Sequence, residues 1–377
     1  MCDLNRSQRE IQKAARDFAR GEFDKDLALE MEKKGTFPGA IRRKAGALGF
    51  LGLHFPERYG GAGLGLFEAA LVAEVLCRQD SSIGSALIFS TLGAECLLRF
   101  GSEALQQRFL PDLAEGKACS ALAVSEPGLG GQWSAVRTTA VADGENYIVD
   151  GCKTHVLNGG QADFYIVLCR TTDDAAGMLL VEAERPGIAI SALGRKLGTN
   201  MTPAADLRLS GVRVPADHLV GREDRGAAQL ESVLEEIYVL TAAQALGIAA
   251  GAFDRALSYV KQREAFGRTL AAFEITRHKI AAMAARIEGA RAVVYQAARS
   301  VDAGRGGMLP ATAKWLSSLA AVQTADDAIQ LFGGYGYMRE TEVERFFRDA
   351  KTLDLLFGGR TALKRKMADS VIGKIRR

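Results

Sequence analysis

Helical hydrophobic patterns occupy the first part of the chain. Over residues 4–33, apolar positions recur at helical spacing among charged ones, which predicts a surface helix with one buried face. The next apolar stretch begins with a proline, which is tolerated in the first turn of a helix. Further helices are predicted over 38–49, 66–77, 83–100 and 103–113.

The pattern changes near the middle of the sequence. Residues 138–141 and 147–149 are rich in β-forming side chains and are separated by Asp143-Gly144, a pair that favours a tight β-hairpin. Glycines at 128, 130 and 131 follow a short apolar run and free the backbone amides of a turn to approach a planar, polar ligand. Further strands are predicted over 164–168, 178–181 and 207–214.

The last third of the sequence is helical again. Long apolar and alanine-rich patterns joined by short loops predict a bundle of four helices. They cover 227–264, 274–304, 310–332 and 342–376. Together the patterns predict a mostly α fold with a central β domain: an N-terminal helical domain over 1–118, a middle β domain over 119–225 and a C-terminal helical bundle over 226–377.

Composition and charge exclude several classes of protein. The formal net charge of the 377 residues is +3, and basic residues are interleaved with acidic ones, so no nucleic-acid-binding surface is indicated. The longest uncharged run, 237–253, is shorter than the roughly 20 apolar residues that span a bilayer and predicts a buried bundle helix. The six cysteines are widely spaced, which argues against a zinc site and a disulfide framework. With a polar, charged N-terminus, the sequence predicts a cytoplasmic protein without a signal peptide.

One glycine-rich stretch, 55–65, superficially matches a dinucleotide-binding fingerprint. A Rossmann fingerprint needs a strand before the glycines and a βαβ unit around them, and neither pattern is present here. The stretch is therefore interpreted as a loop between helices.

Seven short segments, taken together, resemble the acyl-CoA dehydrogenase family. They occur in the family's order along essentially the whole chain, and the family's sequence of helices, sheet and helices agrees with the blocks above. The matching segments are 55–63, 125–128, 151–153, 212–215, 263–267, 330–337 and 344–350.

The resemblance implies bound FAD, with each flavin shared between two subunits of a homo- or hetero-tetramer and an electron-transfer flavoprotein as a partner. It implies that Ser125 and nearby amides face the isoalloxazine ring, that Arg263 neutralises the pyrophosphate, and that Phe266 packs on the adenosine. Alternatively, Arg263 is a cation at a helix end, and Gly333 and Gly334 form a helix C-cap. The full set of implied cofactor residues is Ser125, Gly130, His155, Leu157, Arg263, Phe266, Gln330, Gly333 and Gly334.

The sequence departs from the family at the catalytic base. Family members remove the α-proton of an acyl thioester with a glutamate that precedes Gly-Thr near the C-terminus. Here counting forward from the last matching segment places Phe357 at that position, and counting back from Leu363 places Gly358 there. Neither side chain can accept a proton.

Glu236 is the candidate replacement. On the helical wheel it lies at the shoulder of an apolar stripe and borders the uncharged run, where desolvation raises a carboxyl pKa. Alternatively it is a surface carboxylate at the edge of that stripe. Aligned from Arg263 and Phe266, Glu236 falls one residue before the usual helix-borne base position, which is Ile237 here. The resemblance implies thioester contacts from Gly131, Glu235 and Tyr238, where the family's serine and arginine contacts are missing.

Three functions follow from these observations. The leading hypothesis is FAD-dependent α,β-dehydrogenation of an acyl thioester carried by CoA or a carrier protein, with the altered contacts indicating an unusual acyl group in specialised metabolism. The second is altered flavin chemistry on the same fold, such as an oxygenase or a desulfinase. The third is a non-catalytic partner subunit of a hetero-oligomeric dehydrogenase.

Overall fold

The computed structural model describes residues 4–129, 131–172 and 175–373. In the N-terminal part, two predicted helices are each divided in two. The first is interrupted at Asp24, whose side chain accepts a hydrogen bond from the Leu27 amide and so starts a new helix. The other is interrupted at Gly93, whose φ of 104° leaves the helical region. The helices are α1 (Arg6–Glu22), α2 (Lys25–Lys34), α3 (Gly39–Ala47), α4 (Leu66–Gln79), α5 (Ser81–Phe89), α6 (Ala94–Phe100) and α7 (Glu103–Ala114).

The middle of the chain forms one eight-stranded sheet. Its strand order is β6-β7-β3-β2-β4-β5-β8, and β1 pairs in parallel with β4. The predicted hairpin is confirmed: β2 and β3 are antiparallel, and Asp143 pairs with Asn146 across a two-residue turn. The strands are β1 (Ser120–Ala123), β2 (Thr139–Asp143), β3 (Asn146–Leu157), β4 (Phe164–Arg170), β5 (Ala176–Glu182), β6 (Ile188–Ala192), β7 (Ala204–Pro215) and β8 (Leu219–Val220).

The C-terminal part is built around one long central helix. Within the described residues this helix is long and apolar enough to cross a membrane, but 83% of its most apolar window is buried inside the protein. A Cβ added at Gly247 of this helix would lie 2.3 Å from the carbonyl oxygen of Glu74 on α4, so the absence of a side chain permits the close packing. The elements are α8 (Gly226–Gln262), β9 (Glu264–Ala265), β10 (Arg268–Thr269), α9 (Glu274–Asp302), α10 (Leu309–Phe332), α11 (Val343–Leu355) and α12 (Gly359–Ile372).

The prediction of one continuous helix over 342–376 was wrong. The chain leaves the helix after Leu355 and re-enters it at Gly359. Phe357 and Gly358 have φ values of 54° and 89°, which a right-handed helix cannot accommodate. The interruption therefore falls at the two positions that align with the family's usual glutamate.

The predicted order of a helical domain, a sheet domain and a helical domain is confirmed. The sheet begins at Ser120 and α8 begins at Gly226, and the domain boundaries expected at 118 and 225 stay predictions. Side chains from all three parts share one apolar core, which includes Phe89, Phe164 and Leu246. This shared core brings the ends of the sheet strands against α5, α8 and the turn before α12.

Candidate active site

A buried ion pair shapes the loop that follows β1. Lys153 Nζ on β3 lies 2.7 Å from Glu126 Oε1, and the two side chains are 0% and 3% exposed. The carboxylate also accepts hydrogen bonds from the backbone amides of Arg137 and Thr138 and from the Thr138 hydroxyl. Burial opposes ionisation, but the bonds from Lys153 and Thr138 outweigh it and hold the pKa of Glu126 below its usual range. Two segments that the sequence marked separately, 125–128 and 151–153, thus form one unit.

This unit presents the residues expected to face the flavin ring. Ser125 is half-buried, and its carbonyl accepts a hydrogen bond of 2.9 Å from the Thr154 amide. Leu157 is buried at the end of β3. His155 is exposed with a φ of 55°, and its amide donates to Asp206 Oδ1 at 2.9 Å. Gly130 lies outside the described residues, so its predicted contact stays a prediction.

The same loop reaches the start of α12. A Cβ added at Gly131 would lie 3.9 Å from the Trp133 ring and 4.0 Å from Cβ of Ala362. Its φ of 79° is in the left-handed region, so a larger residue there would be strained. Gly131 therefore lies where the sheet meets the turn between α11 and α12.

The residues expected to hold the adenine side of FAD are brought together at the other end of the helical bundle. Arg263, Gln330, Gly333 and Gly334 line one cavity of about 550 Å³ between the end of α8 and the end of α10. The positions where Cβ atoms would stand at Gly333 and Gly334 have nothing within 4 Å, so the backbone there is open to a ligand. Phe266 lies on the β9–β10 turn, 96% exposed, and does not line this cavity.

These features fit FAD. A guanidinium and an open glycine backbone suit a pyrophosphate, because one supplies charge and the other lets the anion approach the amides closely. An exposed phenylalanine next to this cavity offers an apolar face for an aromatic group. The loop of Ser125 supplies half-buried backbone near the sheet, where a flavin ring needs hydrogen-bond partners.

At Phe357, one of the two positions where the resemblance leads us to expect the usual glutamate, the structure has an aromatic ring. Phe357 is half-buried in the turn between α11 and α12, and its ring lies 6.4 Å from that of Phe89 in an edge-to-face arrangement. Phe89 in turn lines a small cavity between α5, α6 and α8. Phe357 therefore contacts the wall of that cavity and contributes no acid or base.

Glu236 lies on the α6 side of α8, in a largely buried position. Its side chain is 16% exposed, and Oε1 lies 3.4 Å from Arg99 Nη1. Its Oε2 is buried and has no hydrogen-bond partner among the residues that the structure describes. Burial and then the negative charge of Glu95 raise the pKa of Glu236 to about 8, against the opposing effects of Arg99 and His54. A carboxylate with these properties is suited to accept a proton near neutral pH.

A second pair next to Glu236 was missed by sequence reasoning. His54 Nε2 lies 2.9 Å from Glu95 Oε1, with the side chains 12% and 6% exposed. Burial works against the imidazolium, but the Glu95 carboxylate outweighs it, so the pKa of His54 is raised. The two residues are 41 positions apart, and no local pattern links the loop of His54 to α6. Arg99, one turn after Glu95, was missed for the same reason.

The contacts predicted between the thioester and the two other residues on α8 stay predictions. Glu235 Oε1 lies 2.9 Å from Lys366 Nζ on α12, which gives it a partner without a ligand. Tyr238 is 3% exposed, and burial raises the pKa of its phenol to about 12. The helical wheel correctly separated Glu236 from Glu235, since the two are ion-paired to different helices.

Comparisons with known proteins agree with the fold described above. Three family models match the chain: acyl-CoA dehydrogenase N-terminal domain over residues 5–117, middle domain over 121–212 and C-terminal domain over 224–372. Cyclohexane-1-carbonyl-CoA dehydrogenase of Geobacter metallireducens is 38% identical over 344 residues, covering 90% of each chain.

Two solved structures are similar over nearly their full length. A chain from a structure on the electron transferring flavoprotein of Acidaminococcus fermentans is 33% identical, with 99% of this chain and 100% of that chain covered and a TM-score of 0.96. The prolyl acyl carrier protein oxidase AnaB is 27% identical, with the same coverage and a TM-score of 0.92. The chain therefore belongs to the acyl-CoA dehydrogenase family, whose members are FAD-dependent oxidoreductases that act on the CH–CH bonds of acyl thioesters.

Proposed function

We propose that this protein catalyses the α,β-dehydrogenation of an acyl thioester and that Glu236 is the base that takes the α-proton. The observation that carries the assignment is the state of Glu236 Oε2, a buried carboxylate oxygen with no partner in the described part of the chain. Polar atoms in such positions are rare in folded proteins and are retained where they have a use.

The surroundings of Glu236 support a role in proton transfer. Ile237, the next residue on α8, lines the small cavity between α5, α6 and α8, and so does Glu95. A carbon acid bound beside this cavity would lie close to Oε2. With a pKa of about 8, Glu236 is partly ionised at neutral pH and also basic enough to remove an activated proton.

Arg99 is a positioning residue in this proposal. Its Nη1 donates to the carbonyl of Ser232 at 3.1 Å as well as to Glu236 at 3.4 Å, so it holds Oε1 and leaves Oε2 directed elsewhere. Glu95, held by His54, supplies the negative charge that keeps Glu236 from ionising too readily. Besides burial, the chain thereby sets the basicity of Glu236 with the like charges of Glu95 and Glu235 and the opposite charges of Arg99 and His54.

The other residues orient the reactants. When bound, FAD supplies the acceptor for the β-hydride. We assign Ser125, His155 and Leu157 to a flavin ring because they lie on the unit held by the Glu126–Lys153 pair. We assign Arg263, Gln330, Gly333 and Gly334, which line one cavity, and the exposed Phe266 to the pyrophosphate and adenosine of a cofactor shared with a neighbouring subunit. Removal of one proton and one hydride converts the Cα–Cβ single bond into a double bond.

We define the substrate as an acyl thioester and go no further than that chemical class. Gly131 and Tyr238 stand where relatives provide contacts to the thioester ligand, and both changes favour an unusual acyl group in specialised metabolism. The carrier is CoA or an acyl carrier protein, since one structural relative is an oxidase of a carrier-bound prolyl group. The thioester contact of Glu235 stays a prediction, because the Glu235 side chain already pairs with Lys366.

The assembly and its partner belong to the same proposal. We assign Phe266 to a cofactor bound mainly by a neighbouring subunit of a homo- or hetero-tetramer, and its 96% exposure supports this assignment. An electron-transfer flavoprotein is the proposed acceptor, supported by the similarity to a chain from an electron transferring flavoprotein structure. We place the enzyme in the cytoplasm.

Anaerobic reduction of the bound flavin tests the function. The purified holoenzyme is mixed under argon with a panel of acyl thioesters on CoA and on carrier protein, and the visible absorption band of the oxidised flavin is followed. We expect at least one thioester to bleach it with formation of the α,β-unsaturated product. If every thioester leaves the band intact while dithionite bleaches it, the protein is not an acyl thioester dehydrogenase on its own.

A further inference from the structure

The cavity between α5, α6 and α8 contains a buried amide that nothing described so far explains. Gln244 on α8 lines this cavity and is 1% exposed. Neither its Oε1 nor its Nε2 has a hydrogen-bond partner within the described residues. An unpaired buried amide costs folding free energy at both its donor and its acceptor atoms. Gln244 therefore destabilises the folded protein unless another group hydrogen-bonds to it.

The remaining walls of the cavity are apolar or already hydrogen-bonded. Thr241 Oγ1 donates to the carbonyl of Ile237 at 2.7 Å, and Thr91 Oγ1 donates to that of Ile88 at 3.3 Å. Glu95 is paired with His54. Among the described residues that line the cavity, Gln244 therefore provides the principal unused donor and acceptor.

Gln244 lies on the face of α8 that carries Ile237, the residue next to the proposed base, while Glu236 itself is about 80° from Gln244 around the helix axis. Ile237, Leu240, Thr241 and Gln244 follow one another at helical spacing along the cavity. Glu236 and Gln244 are eight residues apart, a rise of about 12 Å along the helix axis. An acyl group whose α-carbon lies near Glu236 and whose chain passes Ile237 would bring its terminal group to Gln244. Because the cavity measures only about 20 Å³, it admits that terminal group and not the chain that carries it.

We propose that the acyl group of the substrate carries a hydroxyl group that hydrogen-bonds to Gln244. The amide presents an NH2 group with two donors and an oxygen acceptor, so a single group that pairs with both atoms must accept and donate. A carboxylate cannot donate and would meet Glu95 in the same cavity, and an ammonium group cannot accept. The cavity measures about 20 Å³, which is room for about one group of the size of a water molecule, and a hydroxyl is the smallest neutral group that meets these conditions.

This inference rests on the proposed function, because it takes the ligand to be an acyl thioester. The test compares straight-chain acyl-CoA thioesters with their ω-hydroxy counterparts, in which a hydroxyl replaces the terminal methyl, over a series of chain lengths. For each pair kcat/KM is measured from flavin reduction under argon. The dissociation constant is measured separately by calorimetry on Glu236→Gln holoenzyme, so that binding is read without relying on turnover.

We expect kcat/KM of the wild-type holoenzyme to be about ten- to a hundredfold higher for the hydroxy compound at one chain length, because the methyl counterpart leaves the amide unpaired. Gln244→Leu should abolish or reverse that preference while keeping FAD content and melting temperature. Thr241→Val is the matched control on the same wall, and it should keep the preference because the Thr241 hydroxyl is bonded to its own helix.

If Gln244→Leu fails to fold, the preference of the protein with Gln244 intact for the hydroxy over the methyl compound still decides the proposal. Equal or weaker binding of the hydroxy compound at every chain length would overturn it and would mean that Gln244 holds only a trapped water. Failure of all thioesters to bleach the flavin would count against the proposed function instead, and the ratio of dissociation constants would still decide the role of Gln244.

Discussion

Lys153 Nζ and Glu126 Oε1 lie 2.7 Å apart with both side chains almost completely buried. Their ion pair fixes the loop after β1 to the middle of β3, so the half-buried Ser125 and the exposed His155 are held on one rigid unit. Removing one partner would leave the other charge buried without compensation, which is more damaging than the loss of the pair itself.

We therefore expect Lys153→Met to lower the free energy of unfolding by about 3–5 kcal/mol and to weaken FAD retention. Urea unfolding and the FAD content of the purified protein measure the two effects. The matched control is Arg213→Met, because Arg213 pairs with Asp143 on the same sheet with side chains that are 60% and 55% exposed. That change should cost no more than about 1 kcal/mol, and equal costs for both variants would contradict the structural role of the buried pair.

The cavity at the end of α8 gives a second prediction. Arg263→Met should weaken FAD binding by about ten- to a hundredfold, because it removes a charge-assisted contact to the pyrophosphate. Reconstitution of the apoprotein with FAD, followed by flavin fluorescence, measures the affinity. Lys261→Met serves as the control, since Lys261 is exposed on the last turn of α8 and does not line the cavity. Identical FAD affinities of the two variants would remove Arg263 from the site.

The pH dependence of activity follows from the charges around Glu236. Because the ionised carboxylate is the active form, kcat/KM should rise with pH through the pKa of Glu236, about 8. Arg99→Met removes the charge that lowers this pKa and should move the profile to higher pH. Glu95→Gln removes the charge that raises it and should move the profile to lower pH. A shift in the same direction for both variants would show that the profile reports another group.

The stability of the fold should depend on pH through the same carboxyl group. Its pKa is raised from 4.5 to about 8 in the folded protein, so folding favours the protonated form. That contribution is fully present below 4.5 and is lost as the pH rises through about 8. The stability of Glu236→Gln relative to wild type should therefore increase between these limits by on the order of a few kcal/mol. Urea unfolding over this range would contradict the raised pKa if the difference stayed constant.

The architecture could be predicted from the sequence because helices and strands are encoded by the local spacing of apolar residues and by turn residues. The hairpin at Asp143-Gly144 and the long apolar pattern of α8 were placed correctly from periodicity and turn chemistry alone. Helix interruptions were missed at Gly93 and at Phe357 because tertiary packing imposed backbone conformations that the hydrophobic pattern does not encode. At both places the apolar spacing continues across the interruption.

Two kinds of signal pointed to the candidate site: the spacing of residues along one helix, and the family resemblance, which named Arg263, Gln330, Gly333 and Gly334 before the structure placed them around one cavity. Glu236 was identified from the helical wheel, since burial on one face of α8 can be read from spacing. The pairing of His54 with Glu95 and the isolation of Gln244 depend on contacts between distant segments, and a single sequence carries no signal for them. The segments of Glu126 and Lys153 were marked as motifs, but their shared ion pair became apparent only in three dimensions.

The most direct test of the catalytic assignment is the rate of flavin reduction in a single turnover under argon. The variants are Glu236→Gln and, as the matched control one turn earlier on α8, Glu231→Gln, whose side chain is exposed. With a thioester that bleaches the wild-type enzyme, we expect Glu236→Gln to slow reduction by about 10²–10⁴-fold and Glu231→Gln to leave it close to the wild-type rate. Reduction of Glu236→Gln at the wild-type rate would show that another group takes the α-proton.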